Sequence, residues 1–336
     1  MMKLKFPKIS HVACCPWLFL YRRASNHRCI RQRDAKSTKN GYTRKKSLTR
    51  LVVIMELIQK APAKINLSLD ALYRHHDGEH EWRMVMTSVD LADYVHIQPN
   101  KTIRVTTDSG FLPEDPRNLA YKAAIVLQRA ADTHLGARIH IEKHIPVSAG
   151  LGGGSSDAAA VLRGLNDLWQ LGYSLEQLAT IGLQIDSDVP YCVYSTTALV
   201  TGRGEIVQPL GALPNFWVVL AKPRASVSTP SILNALDYSQ PLPRPDTDRV
   251  LAGIAKHDFA EMTSGMANSL EKLTASRYPD ITALTTRFMK YGAQIAQMSG
   301  SGPTVFALCE KHSRAMRVYN SMKGFCPEVY LVRPLG

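Results

Sequence analysis

Residues 145–160 read IPVSAGLGGGSSDAAA. Four glycines, Gly150 and Gly152–Gly154, run straight into two serines and an alanine-rich stretch, and no other part of the chain restricts its fold as much. Glycine at this density does not suit the interior of a strand or helix. From Asp157 onward, Ala158, Val161, Leu162, Leu165, Leu168 and Trp169 recur at helical spacing and predict a helix reaching Leu171. The stretch therefore reads as a turn that opens a helix. A helix N-terminus leaves N–H donors unpaired and carries the positive end of the dipole. Glycines let those amides approach an anion with no Cβ in the way, which makes the loop a natural phosphate site. Ser155 or Ser156 can add a hydroxyl, to phosphate or to Mg²⁺. The competing reading is a tight strand-to-helix turn whose small residues serve close packing.

Two other phosphate loops fail on spacing. A Walker A loop ends in Gly-Lys-Ser/Thr, whereas Gly154 is followed directly by Ser155. The dinucleotide pattern G-x-G-x-x-G matches at Gly150 and Gly152 but meets Ser155 where its third glycine belongs.

Around the loop the chain alternates between strand and helix signals. Ile65, Leu67 and Leu69 alternate with Asn66, Ser68 and Asp70, which predicts a strand from Ala61 to Tyr73 with one buried face. Trp82–Val89, Tyr94–Thr106 and Ala137–Ile141 read as further strands, with a turn at Asp77-Gly78. Asn118 is placed to cap a helix running to about Leu135, and Ser174 with Gln177 has capping-box spacing for a helix to about Ile181. Asp186-Ser187-Asp188-Val189-Pro190 breaks the pattern, after which Tyr191–Val200 and Phe216–Ala221 read as strands around the turn Gly202-Arg203-Gly204. Residues 241–248 (PLPRPDTD) form a Pro-rich loop, with helices expected at 248–256 and 280–291. A second glycine turn, residues 298–303 (MSGSGP), leads into a strand to Cys309, a helix over Lys311–Met322 and a strand over Glu328–Val332. Without steady β-α alternation the fold class is α+β, with a boundary between 200 and 214.

Charge decides one question of partners. Residues 1–54 hold 14 Lys or Arg against a single acid, Asp34, and so carry the whole net charge of +13. The remaining 27 basic and 27 acidic side chains balance, so a basic nucleic-acid groove on the body is not indicated, and only a local patch is left open. The basic segment reads as translated upstream sequence with Met55 as the start, as a plastid-type targeting peptide, or as an anion-binding arm; the first is preferred, because the enzyme-like body begins at Met55. The longest apolar run near it, Val12–Tyr21, is too short for a membrane helix and contains Pro16. Cys192, Cys309 and Cys326 lack metal-ligand spacing and suit a reducing, cytoplasmic setting.

The loop PVSAGLGGGSSDAAA resembles the P-x-x-x-G-L-G-S-S-A-A signature of the galactokinase, homoserine kinase, mevalonate kinase and phosphomevalonate kinase (GHMP) superfamily. PAKINLSLDAL at 62–72 and SGSGPTVFAL at 299–308 fit the same superfamily in the same order. Within it, Ala63-Lys64-Ile65-Asn66-Leu67, Asp77-Gly78-Glu79-His80-Glu81, the triple-glycine loop, Ser187-Asp188-Val189-Pro190 and Asn268-Ser269-Leu270-Glu271 are similar to motifs of the kinases of 4-diphosphocytidyl-2-C-methyl-D-erythritol. The resemblance implies a two-domain kinase: an ATP-binding domain like the second domain of ribosomal protein S5 over 55–207, and a C-terminal GHMP α+β domain over 208–336. It implies ATP and Mg²⁺, a small-molecule alcohol acceptor of non-mevalonate isoprenoid synthesis phosphorylated on its 2-hydroxyl, and no nucleic-acid or membrane partner. A homodimer is left open.

Carried onto this chain, the resemblance makes Asp188 the carboxylate at the acceptor hydroxyl, with Asp186 its neighbouring alternative, and Lys64 the cation that stabilises the transferring phosphoryl group. ATP falls to Lys143, Pro146, Ala149, Gly150, Leu151, Gly152, Gly153, Gly154, Ser155, Ser156 and Asn118, with Ser156 also a metal ligand. Asn66, His80 and Thr229 fall to the acceptor, and Ser299–Gly302 buttresses the phosphate region. Two motif positions depart: Ser187 replaces the usual alanine before Asp188, a mild change, and Glu79 stands where the family carries tyrosine, and a carboxylate does not stack on a base as a ring does. A GHMP kinase with a different acceptor, or a nucleotide-binding homologue without catalysis, are the alternative readings.

Overall fold

The computed structural model describes residues 56–110 and 112–335, so the expectations for residues 1–54 and for a start at Met55 lie outside the described residues. The chain opens with β1 (Leu57–Arg74) and β2 (His80–Asn100), a long antiparallel hairpin closed by a turn in which Gly78 has φ +91°. Then come β3 (Arg104–Thr107), α1 (Leu119–Ala130), β4 (Gly136–Glu142), α2 (Gly153–Leu168), α3 (Leu175–Gly182), α4 (Val189–Tyr194), β5 (Ala198–Gly202) and β6 (Ile206–Pro209). The second half contains β7 (Trp217–Lys222), α5 (Thr229–Asn234), α6 (Thr247–Ala255), α7 (Phe259–Ser264), α8 (Glu271–Arg277), α9 (Asp280–Lys290), β8 (Ile295–Met298), β9 (Val305–Cys309), α10 (His312–Lys323), β10 (Glu328–Val332) and β11 (Pro334–Leu335).

Two sheets result. The first has seven strands built around β2, in the order β3-β4-β2-β5-β6 with β1 and β11 also paired to β2. The second is antiparallel, in the order β10-β7-β9-β8. The division expected at residue 207 falls inside β6, and β11 returns the end of the chain to the first sheet. The fold is α+β with two sheets of mixed helical cover.

Helix α2 explains its own composition. Ala158–Leu162, Gly164 and Leu165 are all buried, and a helix apolar on nearly every side is one enclosed by neighbours. A Cβ on Gly164 would collide with Ile97 Cδ1 on β2, so small residues here set how closely helix and sheet approach. Strand β1 is buried on both faces from Ala61 to Leu69, not on one. Ala63, Ile65 and Leu67 share a core with Phe216, Val218 and Phe306 of the second half. The opposite side, with Lys64 and Asn66, lines a cleft.

Other departures have local causes. The strand pair expected at Trp82–Val89 and Tyr94–Thr106 is largely the single strand β2, with only Arg104–Thr107 separate. Tyr191–Val200 begins as helix α4, because Pro190 sits in its first turn where no N–H is needed, and ends where Ser195 turns left-handed at φ +50°. Helix α1 stops at Ala130 and not near Leu135, since Asp132 adopts φ +48°. Helices α5, α7 and α8 and strands β6 and β8 carry weak patterns and were not expected.

Candidate active site

A cleft of about 490 Å³ opens where β1, the 146–154 loop, the 186–188 turn and the 299–302 turn converge. Among the residues singled out above, Lys64, Asn66, His80, Asn118, Lys143, Pro146, Ala149, Gly150–Ser155, Asp188 and Thr229 line it. Ser156 does not. It is fully buried, and its Oγ donates to the Pro62 carbonyl at 2.8 Å. On a helix, consecutive residues differ by about 100° in direction, so if Ser155 faces the cleft its neighbour turns to β1. The expectation that Ser156 ligates metal or phosphate through its side chain is therefore corrected.

The loop keeps its amides free. Gly150 (φ +74°) and Gly152 (φ +67°) lie in the left-handed region that L-residues avoid. Gly152 is the N-cap of α2, and no side chain caps that end. Ser156 N–H already bonds to Gly152 O at 2.8 Å, so the open donors are those of the first turn ahead of it. The second glycine turn backs the loop: Ser299 Oγ donates to Gly150 O at 2.9 Å, and Thr304 N–H to Ala149 O at 3.3 Å. Asn268, from the late motif, fixes that turn by donating to Met298 O and Gly300 O at 2.9 and 2.8 Å. Asn118 caps α1 by accepting from Ala120 N–H at 2.9 Å and donates to Pro113 O, so both ends of its amide are engaged.

Lys64 and Asp188 meet at 3.3 Å, with Lys64 Nζ also donating to Asn66 Oδ1 at 3.0 Å. Lys64 is almost buried and its backbone N–H holds Leu151 O at 2.9 Å, which ties the cation to the loop. Next to it, Asp186 accepts from Ser155 Oγ at 2.9 Å and from Asp188 N–H at 3.1 Å. Burial, and then the neighbouring Asp188 charge, pushes the Asp186 carboxyl above the ordinary range. Of the two carboxyls, Asp188 is the one in the ion pair with Lys64.

Sequence reasoning placed Lys143 in this region without its partners. Its ammonium is bonded to both Asp93 and Asp157, at 2.6 Å to the latter, and all three side chains are buried. Desolvation works against the Lys143 charge, but Asp157 and Asp93 outweigh it and hold its pKa above the usual lysine value. Burial drives the Asp157 carboxyl up to about 8, against the pull of Lys143. Asp93 also accepts from His144 N–H at 2.5 Å and Ile145 N–H at 2.8 Å, so the triad pins the strand that enters the loop. No motif marks Asp93 in the sequence; only β2–β4 pairing brings it to Lys143.

At the other end of the cleft, Thr229 Oγ1 and Ser301 Oγ are 2.7 Å apart. Glu79 is there too, and the aromatic surface comes from His80 and Trp82, whose rings lie 5.4 Å apart, with the Tyr238 ring 5.9 Å from that of His80. Neither Trp82 nor Tyr238 was singled out in the sequence, since a tryptophan in a strand pattern reads as core and Tyr238 sits in an aperiodic segment.

Residues 118–196 match the family model of the GHMP kinases N terminal domain, and residues 250–328 that of GHMP kinases C terminal. A 4-diphosphocytidyl-2-C-methyl-D-erythritol kinase of Latilactobacillus sakei subsp. sakei is 65% identical over 283 residues, 84% of this chain and 99% of that protein. One of the same name from Levilactobacillus brevis is 63% identical over 284 residues, 84% of this chain and 100% of that protein. Among solved structures, a 4-(cytidine 5'-diphospho)-2C-methyl-D-erythritol kinase aligns with TM-score 0.71 at 31% identity, over 83% of this chain and all of that one. Homoserine kinase from Cytophaga hutchinsonii, at 20% identity and TM-score 0.69 over 88% of this chain and 99% of that one, shares the fold.

Proposed function

This chain belongs to the GHMP kinases, within the family of 4-diphosphocytidyl-2-C-methyl-D-erythritol kinases, and from that membership we propose that it transfers the γ-phosphoryl group of ATP to the 2-hydroxyl of 4-diphosphocytidyl-2-C-methyl-D-erythritol in isoprenoid precursor synthesis. The observation that carries the reading is the Lys64–Asp188 pair, 3.3 Å apart beside a glycine loop with free helix-end amides.

Phosphoryl transfer needs the phosphate held, its charge offset and the hydroxyl aligned. The amides at the start of α2 supply the first need, with Gly150 and Gly152 giving the bare backbone for close approach. Lys64, at the junction of loop and acceptor side, offsets charge on the transferring group. Asp188 orients the acceptor hydroxyl and takes its proton. With the low exposure of Lys64, its charge acts in a medium less screened than water. Asn66 holds the ammonium in place from β1.

Magnesium prefers one or two protein oxygens beside phosphate oxygens over a full protein cage. Ser155 Oγ and the Asp186 carboxylate, 2.9 Å apart in the cleft wall, fit that role, and among the described residues no larger cluster of metal-ligating side chains stands. When bound, the ion offsets charge on the phosphate oxygens. Lys143, committed to two aspartates, serves by positioning the loop. His80 and Thr229 belong to the acceptor end.

The test is turnover of ATP with the cytidyl acceptor, set against a panel of small alcohols and phosphomonoesters. Strong activity on another alcohol with none on the cytidyl compound defeats the acceptor assignment. Asp188→Ala is expected to lower kcat by about 10²–10⁴ with ATP KM nearly unchanged. Near-normal turnover removes Asp188 as the base.

A further inference from the structure

Asp188 owes its place to a buried polar seam outside the cleft. It is the N-cap residue of α4, its side chain caps no backbone donor, and its carbonyl accepts from Cys192 N–H at 3.0 Å, so its backbone moves with that helix. One turn on, Tyr191 is 1% exposed, and its hydroxyl lies 3.1 Å from the Oγ of Ser88, which is buried to the same degree. Ser88 stands on β2 directly opposite Lys64 in the β1–β2 register. One buried hydrogen bond therefore links the helix that carries Asp188 to the strand pair that carries Lys64.

Neighbouring contacts run along the same seam. Thr87 Oγ1 on β2 lies 2.9 Å from Thr197 Oγ1, just beyond α4. Arg163 on α2 donates to Cys192 O and Val193 O at 2.8 and 3.2 Å and to Lys60 O at 2.9 Å, which clamps the last turn of α4 to β1 upstream of Lys64. A phenol oxygen in a core is unfavourable unless hydrogen-bonded, and phenylalanine fills the same space without that demand. Among the described residues the Tyr191 and Ser88 hydroxyls have only each other as partners, and neither residue lines the cleft. Burial pushes the Tyr191 phenol well above its usual pKa, so it keeps its proton. Packing does not call for this oxygen; a fixed distance does. The Lys64–Asp188 contact, at 3.3 Å, is already longer than the about 2.7–2.9 Å of a tight charge-assisted bond, so a slip of about 1 Å in α4 takes it past the about 4 Å limit of an ion pair.

We propose that Tyr191 and Ser88 are positioning residues, whose mutual hydrogen bond sets α4 against the β1–β2 hairpin and so holds the Asp188 carboxylate within reach of the Lys64 ammonium. This rests on the reading of Lys64 and Asp188 as the working pair given above. Neither hydroxyl touches substrate. Their bond acts through the backbone, from Ser88 across the strand pair to Lys64 and from Tyr191 back along one helical turn to Asp188. Small errors in the placement of reacting groups cost rate far more than they cost binding, so the bond bears on turnover and leaves the ATP loop alone.

Tyr191→Phe and Ser88→Ala each remove one hydroxyl, and the double variant removes both. Rates are measured well below the melting transition, on the acceptor that the wild-type enzyme turns over. Each single variant is expected to lower kcat by about tenfold with ATP KM within about twofold of wild type. The double variant should show the same loss of about tenfold and not about a hundredfold, because the two hydroxyls act through one bond. The single variants should melt about 2–4 °C lower and the double variant close to wild type, since it leaves no hydroxyl unpaired. A crystal structure of the double variant should show Lys64 and Asp188 parted beyond about 4 Å, against 3.3 Å here. An ion pair left in place overturns the proposal, as does a double-variant loss equal to the product of the two single ones. A parted pair with wild-type kcat upholds the positioning and fails Asp188 as the base instead, a result that Asp188→Ala reports independently.

Discussion

Gly150 offers the sharpest test of how the two glycine turns work together. In Gly150→Ala, the new Cβ would fall well inside contact distance of the Ser299 carbonyl oxygen and within 2.9 and 3.0 Å of Gly302 O and N. All three are backbone atoms, so no side chain can swing aside. The backbone at Gly150 is also left-handed, at φ +74°, which costs an L-residue about 1–2 kcal/mol. Forcing packed backbone apart adds about 1–3 kcal/mol. Together they predict a loss of about 2–5 kcal/mol, and at about 2 °C per kcal/mol for a protein of this size the melting temperature should drop by about 4–10 °C. If the loop instead springs away from Ser299, the strain is relieved but the anion cradle is lost, and ATP KM should rise at least about tenfold. Gly154→Ala is the matched control. Its Cβ would meet only Leu119 Cδ1 at 3.4 Å, in helical backbone, so it should be neutral or gain up to about 1 kcal/mol from helix propensity. The assay is thermal melting with and without ATP, alongside ATP KM. A Gly150→Ala protein that melts and binds ATP like the control would refute the idea that the 299–302 turn braces the loop.

Other outcomes follow from the same geometry. Ser156→Ala should cost about 1 kcal/mol by leaving Pro62 O unpaired, yet leave the Mg²⁺ requirement unchanged, whereas Ser155→Ala should raise it; Mg²⁺ titration of activity checks both, and a raised requirement in Ser156→Ala alone would reverse the assignment of the two hydroxyls. The Asp157 carboxyl, raised to about 8 by burial, sits above its unfolded value of about 4. Its contribution to stability is then complete below about pH 4 and is lost as pH rises through about 8. Melting temperature should fall between pH 6 and 9 in wild type and less steeply in Asp157→Asn; equal slopes would show that Asp157 does not titrate there.

Local features were legible in the sequence because their causes are local. The glycine loop, the Asn118 cap on α1 and the Ser174–Gln177 capping box on α3 each depend on a few adjacent residues and their backbone donors. The α+β class followed from the order of the periodic segments. The resemblance carried Lys64 and Asp188 to one site, but no pattern in either segment states that they lie 3.3 Å apart.

Tertiary structure decided the rest. Which serine faces the cleft was settled by the direction of α2 against β1, which turns Ser156 to the Pro62 carbonyl. Both faces of β1 are covered because the second sheet packs on its apolar side, while the polar side that alternation alone would leave to solvent turns Lys64 and Asn66 into the cleft. Asp93 reaches Lys143, and Tyr238 reaches His80, across sequence separations of 50 and 158 residues. Caps and turns are encoded by neighbours along the chain, so the sequence by itself determined them. Charge partners and aromatic neighbours are chosen by packing, and only the folded chain brings them together.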